Sequence, residues 1–102
     1  MDKEKRKFYR DKYQKAFLEV RQVINDIDPM GLIEMCGPEE YDMEVAEILA
    51  KIQDCNSEDE IRRMVIDVFT HYFDDAGDVE RYANVGHNLI MVKSTMTTNQ
   101  QL

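Results

Sequence analysis

The sequence contains no tryptophan, and its 102 residues include only two prolines and four glycines. So few turn formers exclude an ordinary all-β chain, which reverses direction about every ten residues. The two cysteines, Cys36 and Cys55, lie far apart and in no paired motif. A secreted domain of this size usually carries more of them at tighter spacing. Long apolar runs are missing too. The start, Met1-Asp2-Lys3-Glu4-Lys5-Arg6-Lys7, is charged, and no stretch reaches the length of a signal-peptide core or a membrane span. Together these absences predict a cytoplasmic protein with reduced thiols and no membrane partner.

Basic residues are also scarce. Thirteen Lys and Arg face twenty-one Asp and Glu, a net charge of −8, which argues against nucleic acid or an anionic membrane as the main ligand. The distribution is uneven. Residues 1–25 hold eight Lys and Arg against four Asp and Glu, whereas residues 28–60 hold eleven acids against Lys51 alone. The hydrophobic fraction of 43% is high enough to build a core and to exclude a disordered chain.

Within that fraction the period is helical. From Tyr9 to Ile27 the apolar positions Tyr13, Ala16, Phe17, Val20, Val23, Ile24 and Ile27 recur in steps of three and four. Pro29 stops this helix, because the residue before a proline is pushed out of the α region. Residues 29–41, with two Gly and two Pro, match neither period and predict an ordered loop packed onto the helices through Leu32, Ile33 and Met35. Asp42 suits an N-cap for a second helix from Met43 to Asp54. Ser57-Glu58-Asp59-Glu60 is a capping box opening a third helix that carries Ile61, Val65, Val68, Phe69, Tyr72 and Phe73. After a break at Gly77, a weaker pattern predicts a fourth helix over Asp78–Lys93, and the polar residues 94–102 read as a disordered tail. The expected architecture is all-α: residues 1–93 form a single-domain bundle of about four helices with one ordered loop between the first two.

The candidate chemistry is thin. Cys36, Cys55, His71 and His87 supply zinc-ligand atoms but lack the close pairs that structural zinc sites use. Asp74, Asp75 and Asp78, like Glu39, Glu40 and Asp42, miss the alternating spacing and central glycine of a calcium loop. Cys36, His71 and Asp67 form no activated nucleophile motif, and Gly31 and Gly37 lack the Lys-Ser/Thr of a phosphate loop. The basic start with Phe8 and Tyr9 is interspersed with acids and reads as a solvated helix face rather than an RNA site. No catalytic residue, metal or cofactor is therefore expected.

The acidic segment is the strongest functional lead. Glu34, Glu39, Glu40, Asp42, Glu44 and Glu47 lie in and just after the loop, together with Tyr41. An aromatic anchor among charges of one sign is what a site for a basic protein partner requires.

Asp28-Pro29-Met30-Gly31-Leu32, followed by Gly37-Pro38-Glu39-Glu40-Tyr41-Asp42-Met43-Glu44, resembles the YugE-like (DUF1871) family of small bacterial proteins of unknown function. The Ser-Glu-x-Glu start of the next helix and its aromatic end are similar as well, so the likeness covers residues 10–75; the region after Gly77 falls outside it. The resemblance implies a small helical fold and a bacterial origin, and supplies no activity. The residues themselves predict a non-enzymatic, acidic protein-binding module. Its analogue in type is an immunity (antitoxin-like) protein that neutralises a basic toxin or nuclease domain, with Tyr41 as anchor. The alternatives are a homo-oligomer, in which the basic first helix meets the acidic segment of a second copy, or a small metal- or ligand-dependent enzyme.

Overall fold

The computed structural model describes residues 3–100, with backbone alone for residues 5, 6, 9, 10 and 97–100. It contains α1 (Lys3–Lys12), α2 (Gln14–Ile27), the one-turn α3 (Ile33–Cys36), α4 (Asp42–Ile52), α5 (Glu58–Phe73), a 3-10 turn (Val79–Tyr82) and α6 (Val85–Gln100). The described residues include no strand, so the chain is all-α.

Five of the helices are longer than two turns, where four were expected, because the first one divides. Tyr13 leaves the helical region at φ −119° and ψ 46°, and its carbonyl then accepts the Phe17 amide that starts α2. The break swings α1 onto α4, and the Tyr13 ring is buried. Neither Gly nor Pro marks the position, so the periodic pattern runs through it unbroken.

Helix α2 stops where Pro29 requires, with Asp28 left-handed at φ 46° and its amide bonded to the Ile24 carbonyl. Helix α5 is capped by Ser57, whose Oγ accepts the Glu60 amide at 3.1 Å. The reciprocal bond of the capping box shifts by one residue, since the Glu60 carboxylate takes the Asn56 amide at 2.7 Å. The predicted helix from Asp78 begins later. Asp78 caps only the 3-10 turn, through the Glu80 amide, and α6 then continues past Ser94 to Gln100 with Met96 fully buried. The segment expected as a tail is thus mostly helix; residues 101 and 102 lie outside the described residues.

One core joins these elements. Phe17, Val20 and Ile24 of α2 meet Val45, Ile48, Leu49 and Ile52 of α4, Ile61, Val65 and Phe69 of α5, and Val85, Leu89 and Met96 of α6. Each such side chain contributes about 1.5–3 kcal/mol on burial. Tyr41, Phe69, Phe73 and Tyr82 form an aromatic cluster, edge-on for Tyr41–Phe69 at 5.5 Å and stacked for Phe69–Phe73 at 5.9 Å. At Gly86 a Cβ atom would sit 2.0 Å from the Glu58 carbonyl oxygen, so only glycine lets α6 approach the start of α5 this closely.

Candidate protein-binding surface

The loop between α2 and α4 is held from beneath by a small polar lock. At the end of α2, Asp28 turns its carboxylate back over the loop. Its Oδ1 accepts the Tyr41 hydroxyl at 2.6 Å, the Leu32 amide at 2.9 Å and the Ile33 amide at 3.3 Å. The Tyr41 hydroxyl in turn accepts the Met30 amide at 3.1 Å and the Leu32 amide at 3.3 Å. Arg81 closes the other side: its Nη1 donates to the Asp28 carbonyl at 2.7 Å, beside the Gly31 amide, and to the Ile27 carbonyl at 3.3 Å at the end of α2. Gly77 fits against the loop too, since a Cβ there would lie 2.7 Å from the Pro29 carbonyl.

Desolvation opposes the Asp28 charge, but the three hydrogen bonds and the nearby Arg81 outweigh it and hold the carboxyl below its ordinary value. Burial, reinforced by the bond to Asp28, pushes the Tyr41 phenol up to about 12. Tyr41 is therefore a neutral donor clamped to a carboxylate. As an exposed anchor it must be corrected: its side chain is fully buried.

The other predicted site residues divide. Glu34, Glu39 and Glu40 are exposed. Asp42 is not the N-cap of α4: that position falls on Tyr41, which makes no side-chain cap. Asp42 instead accepts a two-pronged bond from Arg21, Nε to Oδ1 at 2.9 Å and Nη2 to Oδ2 at 2.6 Å. Arg21 also lies over the Phe17 ring, so this pair fastens α4 to α2, with the Asp42 carboxylate largely covered. Glu44 is buried at 5% exposure. Burial, with Glu40 and Asp42 nearby, pushes its carboxyl up to about 7. Glu47 is half-buried and lies 3.9 Å from Lys51.

Of the three apolar loop residues expected to pack inward, Leu32 and Ile33 do. Met35 does not: it is 87% exposed, the outward residue of the α3 turn. The displayed surface is thus Glu34, Met35, Glu39 and Glu40, fixed on a short segment whose inner side is locked. Arg21 and Arg81, which help to fix it, are polar and distant in sequence from their partners, so no local pattern marks them; Asp28 stands out in the sequence only as the start of the family-like stretch.

Elsewhere, Cys36 is exposed, Cys55 is buried and both are free thiols. His71 meets Tyr72 edge-on at 5.1 Å, and His87 lies 3.4 Å from Glu58. Among the described residues no three of His, Cys, Asp and Glu converge as a metal site, and no helix is long and apolar enough to cross a membrane.

The model of a domain of unknown function, DUF1871, matches residues 11–98. The chain belongs to the DUF1871 family. The match runs beyond residues 10–75, where the likeness was legible, so α6 is part of the DUF1871 domain and not an appendage. No curated protein and no solved structure matches the chain. In this DUF1871 chain the two residues that anchor the resemblance, Asp28 and Tyr41, are partners in one hydrogen bond. In this chain that bond helps to fix the shape of the loop.

Proposed function

We propose that this DUF1871 chain is a non-enzymatic protein-binding module that presents its acidic loop to a basic surface of another protein. Toxin neutralisation by an immunity-type protein is the form of that activity which best suits such a loop. One observation carries the reading: the segment 34–40 shows Met35 at 87% exposure beside Glu34, Glu39 and Glu40, while Asp28, Tyr41 and Arg81 clamp it from below. A loop ordered in advance loses little conformational entropy on binding. Its carboxylates steer a basic partner into encounter, and a flexible, polarisable Met adapts to the apolar patch it meets. The anchor in this arrangement is Met35, in place of Tyr41.

The test compares the wild-type chain with two variants, Glu34→Lys/Glu39→Lys/Glu40→Lys and Met35→Ala, as baits in a lysate of the source cell. All changed positions are exposed, so thermal melts should match the wild type within a few degrees. The expected result is a basic protein captured stoichiometrically by the wild type, released by salt, and lost from both variants. Equal capture by the triple variant, or an empty eluate from folded wild type, rejects the proposal.

A further inference from the structure

Helix α2, the 3-10 turn and the start of α6 enclose an open groove of about 680 Å³, within the size range of small-molecule sites. Its floor is apolar, formed by Val23, Ile27 and Val85, and its rim carries Asp26, Arg81, Asn84 and Asn88. These four polar side chains share one cleft yet do not satisfy one another. Asp26 accepts only the Gln22 amide, through Oδ1 at 2.8 Å. Arg81 is fixed by Nη1 on the Ile27 and Asp28 carbonyls, and its Nε and Nη2 make no hydrogen bond to any described residue. Among the described residues Asp26 and Arg81 form no ion pair with each other, and the carboxamides of Asn84 and Asn88 make no hydrogen bond.

The groove therefore offers an anion, a cation and two amide edges over an apolar floor, with one rim charge held rigidly by backbone. A carboxamide presents one acceptor and two donors, the complement of a peptide group. Asn84 lies just before α6, and its carbonyl accepts the Asn88 amide at 3.0 Å, so the two stand one helical turn apart, about 5.4 Å and within the span of two peptide units. We propose that this groove binds a di- or tripeptide with free termini. The peptide's carboxylate meets Arg81, its ammonium meets Asp26, its peptide groups bridge Asn84 and Asn88, and one side chain rests on the half-buried Val23 and Ile27. A single amino acid has no peptide group for the two asparagines, and a phosphate leaves Asp26 opposed to a like charge. The groove shares Arg81 with the clamp beneath the acidic loop, but its ligand does not depend on the function proposed for that loop.

The experiment is a nitrogen-15 NMR titration of the full chain with trialanine, trileucine and the doubly capped N-acetyl-trialanine amide. A few polar contacts on an open groove give affinities near the millimolar range, so saturation is expected below about 10 mM. The expected result is saturable shifts confined to residues 23–27 and 81–88, including the Asn84 and Asn88 side-chain amides, with the free tripeptides and not with the capped one. Asp26→Asn and Arg81→Gln should each weaken binding about tenfold, as expected for losing a charged hydrogen bond. Asp26 has only an exposed intrahelical partner, so its variant carries the test even if Arg81→Gln loosens the fold. The proposal is overturned if neither free tripeptide gives saturable shifts, if the capped peptide binds equally well, or if Asp26→Asn leaves the affinity unchanged. The triple lysine variant of the loop should bind trialanine like the wild type.

Discussion

Tyr41 shows how a single side chain can be placed correctly in the chain and wrongly in space. In the sequence it stands among carboxylates, next to Asp42 and Glu40, and so reads as a surface anchor. It also begins the stripe Tyr41, Val45, Ile48, Leu49 and Ile52, whose helical spacing predicts burial, and all five are fully buried. The periodic signal is the stronger one, because a core position is decided by where the helix faces and not by its neighbours' charge. The hydroxyl then needs partners, and the loop supplies them in Asp28 and the amides of Met30 and Leu32. Tyr41→Phe keeps the ring and removes this hub, leaving the Met30 amide without its acceptor. A loss of about 2 kcal/mol is expected, lowering the melting temperature by roughly 8–16 °C for a domain of this length. Far-ultraviolet circular dichroism should stay unchanged while amide exchange in residues 29–33 accelerates. A variant as stable as the wild type, with that loop still protected, would mean that the lock does not hold the loop.

At the scale of elements, most of the fold is legible and the exceptions share a cause. The ends of α2 and α5 follow from Pro29 and from Ser57 with Glu60, because these residues act on the backbone next to them. The division at Tyr13 and the extension of α6 depend on distant packing, which no local residue announces. Ser94, Thr95, Thr97, Thr98, Asn99 and Gln100 have the composition of a tail. A single apolar residue among them, Met96, continues the stripe Val85, Leu89, Val92 with the same step, and its burial draws the helix onward. The same reliance on long-range partners hides the displayed surface: Met35 looks like core by composition, and only the Asp28–Tyr41 clamp, which turns Leu32 and Ile33 inward, leaves it outside. Met96→Ala should therefore cost about 2–4 kcal/mol, as for other buried methionines, whereas Ser94→Ala on the exposed face should stay within about 0.5 kcal/mol. Urea unfolding of the two variants distinguishes a docked last turn from a decorative one. Equal midpoints would mean that α6 ends, energetically, at Val92.

For the whole molecule, the excess of acid matters most where it meets the core. Glu44 lies on the edge of the buried face of α4, and its carboxyl, pushed up by burial and then by Glu40 and Asp42, titrates near 7 instead of 4.5. A folded-state value above the unfolded one means that the protonated carboxyl favours the fold. Its contribution is complete below about pH 4.5, declines as pH rises towards 7, and is then lost. Asp28 has the opposite sign. Its carboxyl is held below 3.8 in the fold, so its contribution is present above that value and is lost as pH falls through the folded one. The two together place the greatest stability at mildly acidic pH, between the acid limb set by Asp28 and the neutral limb set by Glu44. Across the neutral limb the Glu44 carboxyl alone should remove about 3 kcal/mol, at 1.36 kcal/mol for each unit of its displacement. Glu44→Gln retains the size and polarity of the side chain without the charge. Urea midpoints measured at pH 5, 6, 7 and 8 should decline for the wild type and run nearly level for Glu44→Gln, with the gap widest at pH 8. Parallel curves for the two proteins would assign the decline to general repulsion among the surface carboxylates, and with it would go the idea that a buried acid in α4 sets the working pH range of the fold.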